Sequence, residues 1–392
     1  MAEFDAAAVR SLQPVSQLPD TPPAGGIGLC LSGGGYRAML FHLGSLWRLN
    51  DAGALRRLDR ISSVSGGSIT AATLGLRWRE LEWDARGRAG NFERVVVAPV
   101  RGMAGETIDV SSVLEGVFSF DTVGERVADA YREHLFGDAT LQALPDDKAG
   151  EGPRFVICAT NLESGVSFRF SRPYVADYRV GMVKAPAVAL SDAVAASSAF
   201  PPILSPFELD LRGAAWETED GNDLVDPRWR GEIKLSDGGV YDNLGLETVW
   251  RSCRTVLISD GGGQAADDDD PPADWPRQIL RVLKVIDNQV RELRKRQAVG
   301  SYRAGLRDGT YWGIRSAVAD YGLADPLPFD PDEGAALAAT PTRLRAVPPA
   351  VQERLVDWGY VMCDTALRKW LPALDGTRRC AARRSRRGLG AG

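Results

Sequence analysis

Short apolar runs along the chain are broken by clusters of glycine and serine, and the breaks fall at regular places. GIGLCLS (Gly26–Ser32) is too short for a helix and runs into three glycines, which predicts a buried strand. In YRAMLFHLGSLWRLNDAG, Leu40, Leu43 and Trp47 recur at helical spacing, and Asp51-Ala52-Gly53 supplies a stop. Arg60–Val64 predicts a second strand, and ITAATLGLRWREL a second helix after its glycines. Strand, helix, strand, helix with short connections predicts a parallel sheet flanked by helices.

The pattern loosens from about residue 81 to 150, where VGERVADAYREHLF is a helical patch inside an expected insertion that covers a site. RFVICAT (Arg154–Thr160) predicts a third strand, with a Glu163-Ser164-Gly165 turn before SFRFS. SDAVAASSAFPP predicts a helix of small residues broken by Pro201 and Pro202. GEIKLSDGGVYDN and TVLISDGGG each predict a strand running into a glycine turn. Ile279, Leu283, Ile286, Val290 and Leu293 share one face of a helix over 279–296. The expected organisation is a flexible arm over 1–24, one domain over 25–375 and a basic, disordered tail over 376–392. That domain divides into a core at about 26–262, the insertion and a helical part at about 275–375. AADDDDPPAD reads as a solvated acidic loop.

Composition narrows the class without choosing a function. The 392 residues are 44% hydrophobic, and a net charge of -5 gives no global attraction to nucleic acid or to anionic lipid. Cys30, Cys158, Cys253, Cys363 and Cys380 are odd in number, scattered and free of any C-x-x-C pair. A disulfide framework or zinc site is not expected, and a reducing compartment fits. The start, MAEFDAAAVRSLQPVSQLPDTPP, lacks a signal-peptide pattern, and no run of about 18 apolar residues occurs. The expectation is a cytoplasmic protein.

The chemistry concentrates in RISSVSGGSIT, from Arg60 to Thr70. A nucleophile on a strained strand-to-helix turn needs small neighbours two positions away on each side. Ser65, between Ser63 and Gly67, fits best of the four serines; a glycine-rich turn with incidental serines is the alternative. The two histidines, His42 and His134, lie too early for the base of an α/β-hydrolase triad. That leaves a carboxylate, and Asp237 and Asp260 both stand in Ser-Asp-Gly-Gly after an apolar run. Burial beside a serine raises an aspartate's pKa and makes it a better base. Upstream, SGGGYRA (Ser32–Ala38) can aim backbone N–H groups at an anion, helped by a helix N-terminus. The anion is either a nucleotide phosphate or the oxyanion of an acyl transfer.

With these parts together, the chain resembles the patatin-like phospholipases. LSGGGYRAM, SVSGG, ASSAFPP and SDGGVYDN occur in that family's order and spacing, over about residues 26–262. The glycine loop with its arginine is also similar to that of the cytosolic group-IV phospholipases. The resemblance implies a three-layer α/β/α fold, with a mainly parallel central sheet and a helical insertion or lid. It implies a Ser–Asp dyad, with Ser65 the nucleophile and Asp237, followed by V-Y-D-N, the base rather than Asp260. It implies an oxyanion hole from the loop Gly33, Gly34 and Gly35 with the N–H of Gly66, in which Gly33 shapes the loop. Arg37 would steady a substrate phosphate or the developing charge. Ser63 stands where the family has glycine.

The activity implied is hydrolysis of fatty-acyl esters of membrane glycerophospholipids, of phospholipase A or lysophospholipase type, without metal or cofactor. Expected partners are the membrane, by peripheral contact, and an unknown activator or a homo-oligomer, with no nucleic acid. The insertion and the segment near 300–345 are expected to form an apolar lid or interfacial surface, and the arginine tail to touch anionic lipid. Two alternatives are a nucleotide-binding oxidoreductase, which needs an acid ending the second strand, and a non-catalytic lipid-binding scaffold.

Overall fold

The structure, a computed structural model, describes residues 22–108, 121–219, 221–263 and 268–376. The expected tail, most of the arm and part of the insertion lie outside the described residues.

The chain opens β1 (Ile27–Leu31), α1 (Gly35–Asp51), β2 (Arg60–Val64) and α2 (Gly66–Leu76). The insertion then contributes α3 (Ala98–Ala104) and α4 (Asp121–Tyr131). A run of strands follows: β3 (Arg154–Asn161), β4 (Val166–Phe170), β5 (Tyr174–Asp177) and β6 (Gly181–Lys184). Next come α5 (Leu190–Ser197), β7 (Phe207–Asp210), β8 (Trp216–Glu217), β9 (Glu232–Asp237), α6 (Gly239–Asp242), α7 (Leu246–Trp250) and β10 (Thr255–Asp260). The long α8 (Trp275–Arg303), β11 (Asp308–Gly313), α9 (Pro331–Ala338) and α10 (Pro349–Trp370) complete the fold.

All eleven strands share one sheet, ordered β11-β10-β1-β2-β3-β4-β5-β6-β8, with β9 beside β3 and β7 beside β9. The sheet is mixed. Its pairs are parallel from β11 to β3, where crossovers return each strand in the same direction. Beyond β3 every pair is antiparallel, because short turns join β3 through β6 as a meander. The parallel five carry the serine and the first glycine loop.

Helices cover both faces. On one, α1 lies between α2 and α10, crossing α10 so closely that a Cβ on Gly44 would sit 1.8 Å from the Val356 carbonyl oxygen. The buried Arg48 of α1 pairs with Asp364 of α10 at 2.7 Å and with Asp375 at 2.7 Å. On the other face, Leu246 and Val249 of α7 and Ala298 of α8 pack against Cys30, Val256 and Ile258. The result is the expected three-layer α/β/α arrangement.

Candidate active site

The register of β3 brings the two key side chains together. β2 runs parallel to β3 until Val64 stands opposite Cys158. At the next residue, Ala159, β9 takes over the same edge from the opposite direction, with Asp237 as Ala159's partner. The carboxyl ends of β2 and β9 therefore meet head to head, and the residue after Val64 is Ser65. Ser65 and Asp237 therefore face each other across this junction, and both line the same pocket.

Ser65 occupies a strained turn, with φ of 51°. A non-glycine residue there costs on the order of 1–3 kcal/mol and persists only where its surroundings enforce it. The enforcing contact is Ser197 of α5. Its Oγ accepts the Ser65 N–H at 2.9 Å and donates to the Cys158 carbonyl at 2.7 Å. Sequence reasoning missed this role, and the only signal was the second small residue of ASSA. The other serines of the stretch are fully buried. Ser62 contacts the Cys158 sulfur, and Ser63 and Ser68 bond each other at 3.0 Å. Ser65, 8% exposed, is the one of the four that lines the pocket.

Asp237 is buried, and burial pushes its pKa up to about 7. The N–H of Gly239, donated to its Oδ1 at 2.7 Å, and the Ser65 hydroxyl oppose that rise. Asp260 ends β10 two strands away. Burial would raise it too, but Lys295 at 3.3 Å, Arg291, the Gly262 N–H and the Tyr311 hydroxyl hold it at about 2. It stays outside the main pocket, whereas Asp237 lines it.

Two helix N-termini converge on the serine. Gly34 and Gly35 make the turn into α1 with φ of 145° and 60°. Gly66 opens α2 so close to that turn that a Cβ on it would lie 2.1 Å from the Gly35 carbonyl oxygen. The Gly33 N–H is already donated to the Asn243 carbonyl at 3.0 Å, which clips the glycine loop to the segment after Asp237. The N–H groups of Gly34, Gly35 and Gly66 donate to no described residue.

Arg37 is buried under the loop, outside the pocket lining. Its Nε donates to the Gly261 carbonyl at 3.2 Å and one terminal nitrogen to the Thr340 carbonyl at 2.5 Å. Burial and the nearby Arg315 lower its pKa to about 10. These bonds tie the glycine loop to the segment covering it. His42 is also internal: its ring nitrogens lie 2.8 Å from the Ser259 hydroxyl and 2.9 Å from the Ser32 carbonyl, and burial lowers its pKa to about 4.

The cavity at Ser65 has a volume of about 1280 Å³. Phe200, Ile203, Leu204, Ile108 and Leu344 supply apolar lining. Over the site, residues 340–347 run against the end of α3 and residues 104–108. The Ile108 N–H reaches the Leu344 carbonyl at 3.0 Å, and Val347 N–H the Ala104 carbonyl at 2.8 Å. The two expected lid segments do meet here, but the cover is not purely apolar. Six cationic side chains line the cavity against three carboxylates among the described residues. Arg277, Arg281, Lys284 and Arg291 come from α8, and Arg343 and Arg345 from the covering segment. Sequence reasoning did not find this set, because its members lie far apart in the chain. Among the described residues no group of acids, histidines and cysteines has the makings of a metal site.

The fold and this junction of serine, carboxylate and glycine turn point to one family of proteins. A family model for patatin-like phospholipase matches residues 29–250, more than half of the chain, and the chain belongs to that family. No curated protein matches it. Among solved structures, human GIVD cytosolic phospholipase A2 is similar in fold, with a TM-score of 0.51 and 13% identity. That match covers 89% of this chain and 60% of the human one. The same human enzyme in complex with methyl gamma-linolenyl fluorophosphonate gives 0.50 at 16% identity, covering 93% of this chain and 61% of that one. The chain thus spans about three fifths of the length of these structures. No described helix is long and apolar enough to cross a membrane.

Proposed function

We propose that this chain hydrolyses fatty-acyl esters of membrane glycerophospholipids through a Ser65–Asp237 dyad, as a phospholipase A or lysophospholipase. The observation that carries the reading is the junction itself. A strained, pocket-lining serine meets a buried carboxylate whose pKa, about 7, suits a base at neutral pH.

Asp237 takes the proton of Ser65 while Oγ attacks the ester carbonyl carbon. The carbonyl oxygen becomes an oxyanion facing the N–H groups of Gly34, Gly35 and Gly66, each donor contributing roughly 3–4 kcal/mol to lowering the barrier. Collapse breaks the ester bond, and the leaving alkoxide takes the proton from Asp237. Water then gives a proton to Asp237 and attacks the acyl-serine. The second collapse returns a proton to Ser65 and releases the fatty acid. Gly33 shapes the loop, since its N–H is committed to Asn243. Arg37 acts by holding that loop to its cover, and the pocket cations face the lipid phosphate.

The nucleotide-binding alternative lacks support. Asp59 precedes β2 and accepts the Ile27 N–H at 2.7 Å, while β2 itself ends in serine and valine. The four described cysteines are buried free thiols, which supports a reducing, cytoplasmic setting.

The test is covalent labelling by a fluorophosphonate, alongside fatty-acid release from mixed phospholipid vesicles. Both should disappear in Ser65→Ala. Release that survives in Ser65→Ala would sink the mechanism, and a wild type that neither labels nor releases would favour the scaffold reading.

A further inference from the structure

We infer that the amino-terminal half of α8, together with Phe200 and Ile203, docks this chain on a bilayer of anionic glycerophospholipid and holds the pocket mouth against it. The inference rests on the proposed function only in assigning that mouth to Ser65.

α8 has 29 residues, about 43 Å of helix. Its far end is anchored: Ala298 is buried in the core, and the Tyr302 hydroxyl donates to the Val256 carbonyl at 2.9 Å. Its only buried residues, Arg291, Ala298 and Ser301, all fall in that end. No residue of the first four turns is buried. Of the sixteen large apolar side chains exposed among the described residues, nine lie on this helix. Such a concentration marks an interaction surface, since scattered single residues are the ordinary case.

The breadth of the patch and its charge select the occupant. At 100° per residue, the positions from Val285 round through Ile286 and Ile279 to Leu280 span an arc of about 220°. A single partner helix covers a much narrower seam. A fluid apolar medium can cover the wider arc, and Trp275, 72% exposed at the helix start, suits the boundary between headgroups and acyl chains. Arg277, Arg281 and Lys284 stand on the opposite arc and line the catalytic cavity. Lipid taken up from below α8 would carry its phosphate past these cations. Phe200 and Ile203, also exposed, extend the apolar surface across the mouth, because both line that same cavity. The overall charge of -5 opposes any general attraction to anionic lipid, so binding of that kind needs a local patch of this sort.

The test uses the full chain carrying Ser65→Ala, so that vesicles stay intact. Co-sedimentation is measured with phosphatidylglycerol–phosphatidylcholine vesicles and with pure phosphatidylcholine. Binding should be at least about tenfold tighter to the anionic vesicles. It should weaken at least about tenfold when Leu283→Asp and Ile286→Asp are added. Leu306→Asp, an exposed apolar position away from the patch, should bind as the parent does. Thermal melts identify any variant that has lost its fold, and Trp275→Ala provides a milder second probe of the face.

Equal binding by the patch and control variants would overturn the inference, as would no preference for anionic lipid. So would a dimer, seen by light scattering, that the two aspartates convert to monomer while neither form binds vesicles. Vesicle binding by a wild type that releases no fatty acid would instead count against the proposed function and leave the docking surface standing.

Discussion

The tetrapeptide Ser-Asp-Gly-Gly occurs twice, at 236–239 and at 259–262, and the two copies end up as chemical opposites. Locally they match. Each aspartate ends a strand, is buried, and accepts the N–H of the residue two positions on, Gly239 at 2.7 Å and Gly262 at 2.9 Å. What separates them arrives from elsewhere. Lys295 and Arg291, carried by α8, reach Asp260, and the Tyr311 hydroxyl donates to it at 2.8 Å. No described cation pairs with Asp237, which faces a serine and a cavity. Burial works on both, but only at Asp260 do neighbouring charges outweigh it. The same four residues therefore give a carboxyl poised near neutrality in one place and a fixed anion in the other.

The sharpest way to break this comparison is to neutralise each aspartate in turn. Asp237→Asn should lower kcat/KM for phospholipid by about 10³-fold or more, because it removes the base while keeping the shape and the acceptor for Gly239. Asp260→Asn should keep turnover per folded molecule within a few-fold. It should instead lower stability by about 3 kcal/mol at neutral pH, because a buried ion pair loses one partner. Steady-state kinetics and urea melts on both variants decide the matter. Loss of turnover in a well-folded Asp260→Asn would mean that the two roles had been assigned to the wrong copies.

The pH dependence sharpens the contrast further, with opposite signs. If Asp237 is the base, kcat/KM should rise about tenfold per pH unit below 7 and level off above it. Its folded pKa lies above the unfolded value of 3.8, so the folded state binds the extra proton between about 4 and 7. Stability from this group is therefore full below pH 4 and is lost as pH rises through 7, by an amount on the order of 4 kcal/mol. Asp260 runs the other way. Its folded pKa of about 2 contributes stability above pH 4 that is lost as pH falls through 2. Melts from pH 5 to 8 should therefore fall less steeply for Asp237→Asn than for wild type.

How far the site could be read from sequence follows the same division between local and distant causes. The strand Arg60–Val64 was legible to the residue, since an apolar run bounded by glycines leaves little choice. The place of Ser65 on a strained strand-to-helix turn was legible because a tight turn restricts the size of its neighbours. Choosing between Asp237 and Asp260 was not possible from the residues alone, since the deciding charges come from a helix about 30 positions beyond the second copy. The commitment of the Gly33 N–H to Asn243 and the burial of Arg37 under Thr340 depend on contacts between distant segments. The cationic lining was invisible for the same reason. The antiparallel half of the sheet was missed because β5, β6 and β8 have four residues or fewer, too short for a period to register.

The smallest expected effect concerns Ser63, where the family has glycine. Two positions before Ser65, a side chain must fit beneath the turn, and this one is fully buried. Its hydroxyl accepts from Ser68 at 3.0 Å, and Ser68 also lies 2.9 Å from Ser197, the residue that holds the Ser65 N–H. Ser63 therefore belongs to the support of the strained turn, without touching the pocket. Ser63→Gly removes the bond from Ser68 and a long one to the Val156 carbonyl at 3.5 Å, and it loosens a strand position, together about 1–2 kcal/mol of stability. Because Ser197 keeps its own bonds to Ser65 and Cys158, the turn should survive, and kcat should stay within about threefold of wild type, a barrier change under about 1 kcal/mol. Restoring the family's glycine should thus cost stability without gaining rate. A gain of tenfold or more would instead show that the serine holds the turn away from its best geometry, and kinetics beside a urea melt on this one variant separates the outcomes.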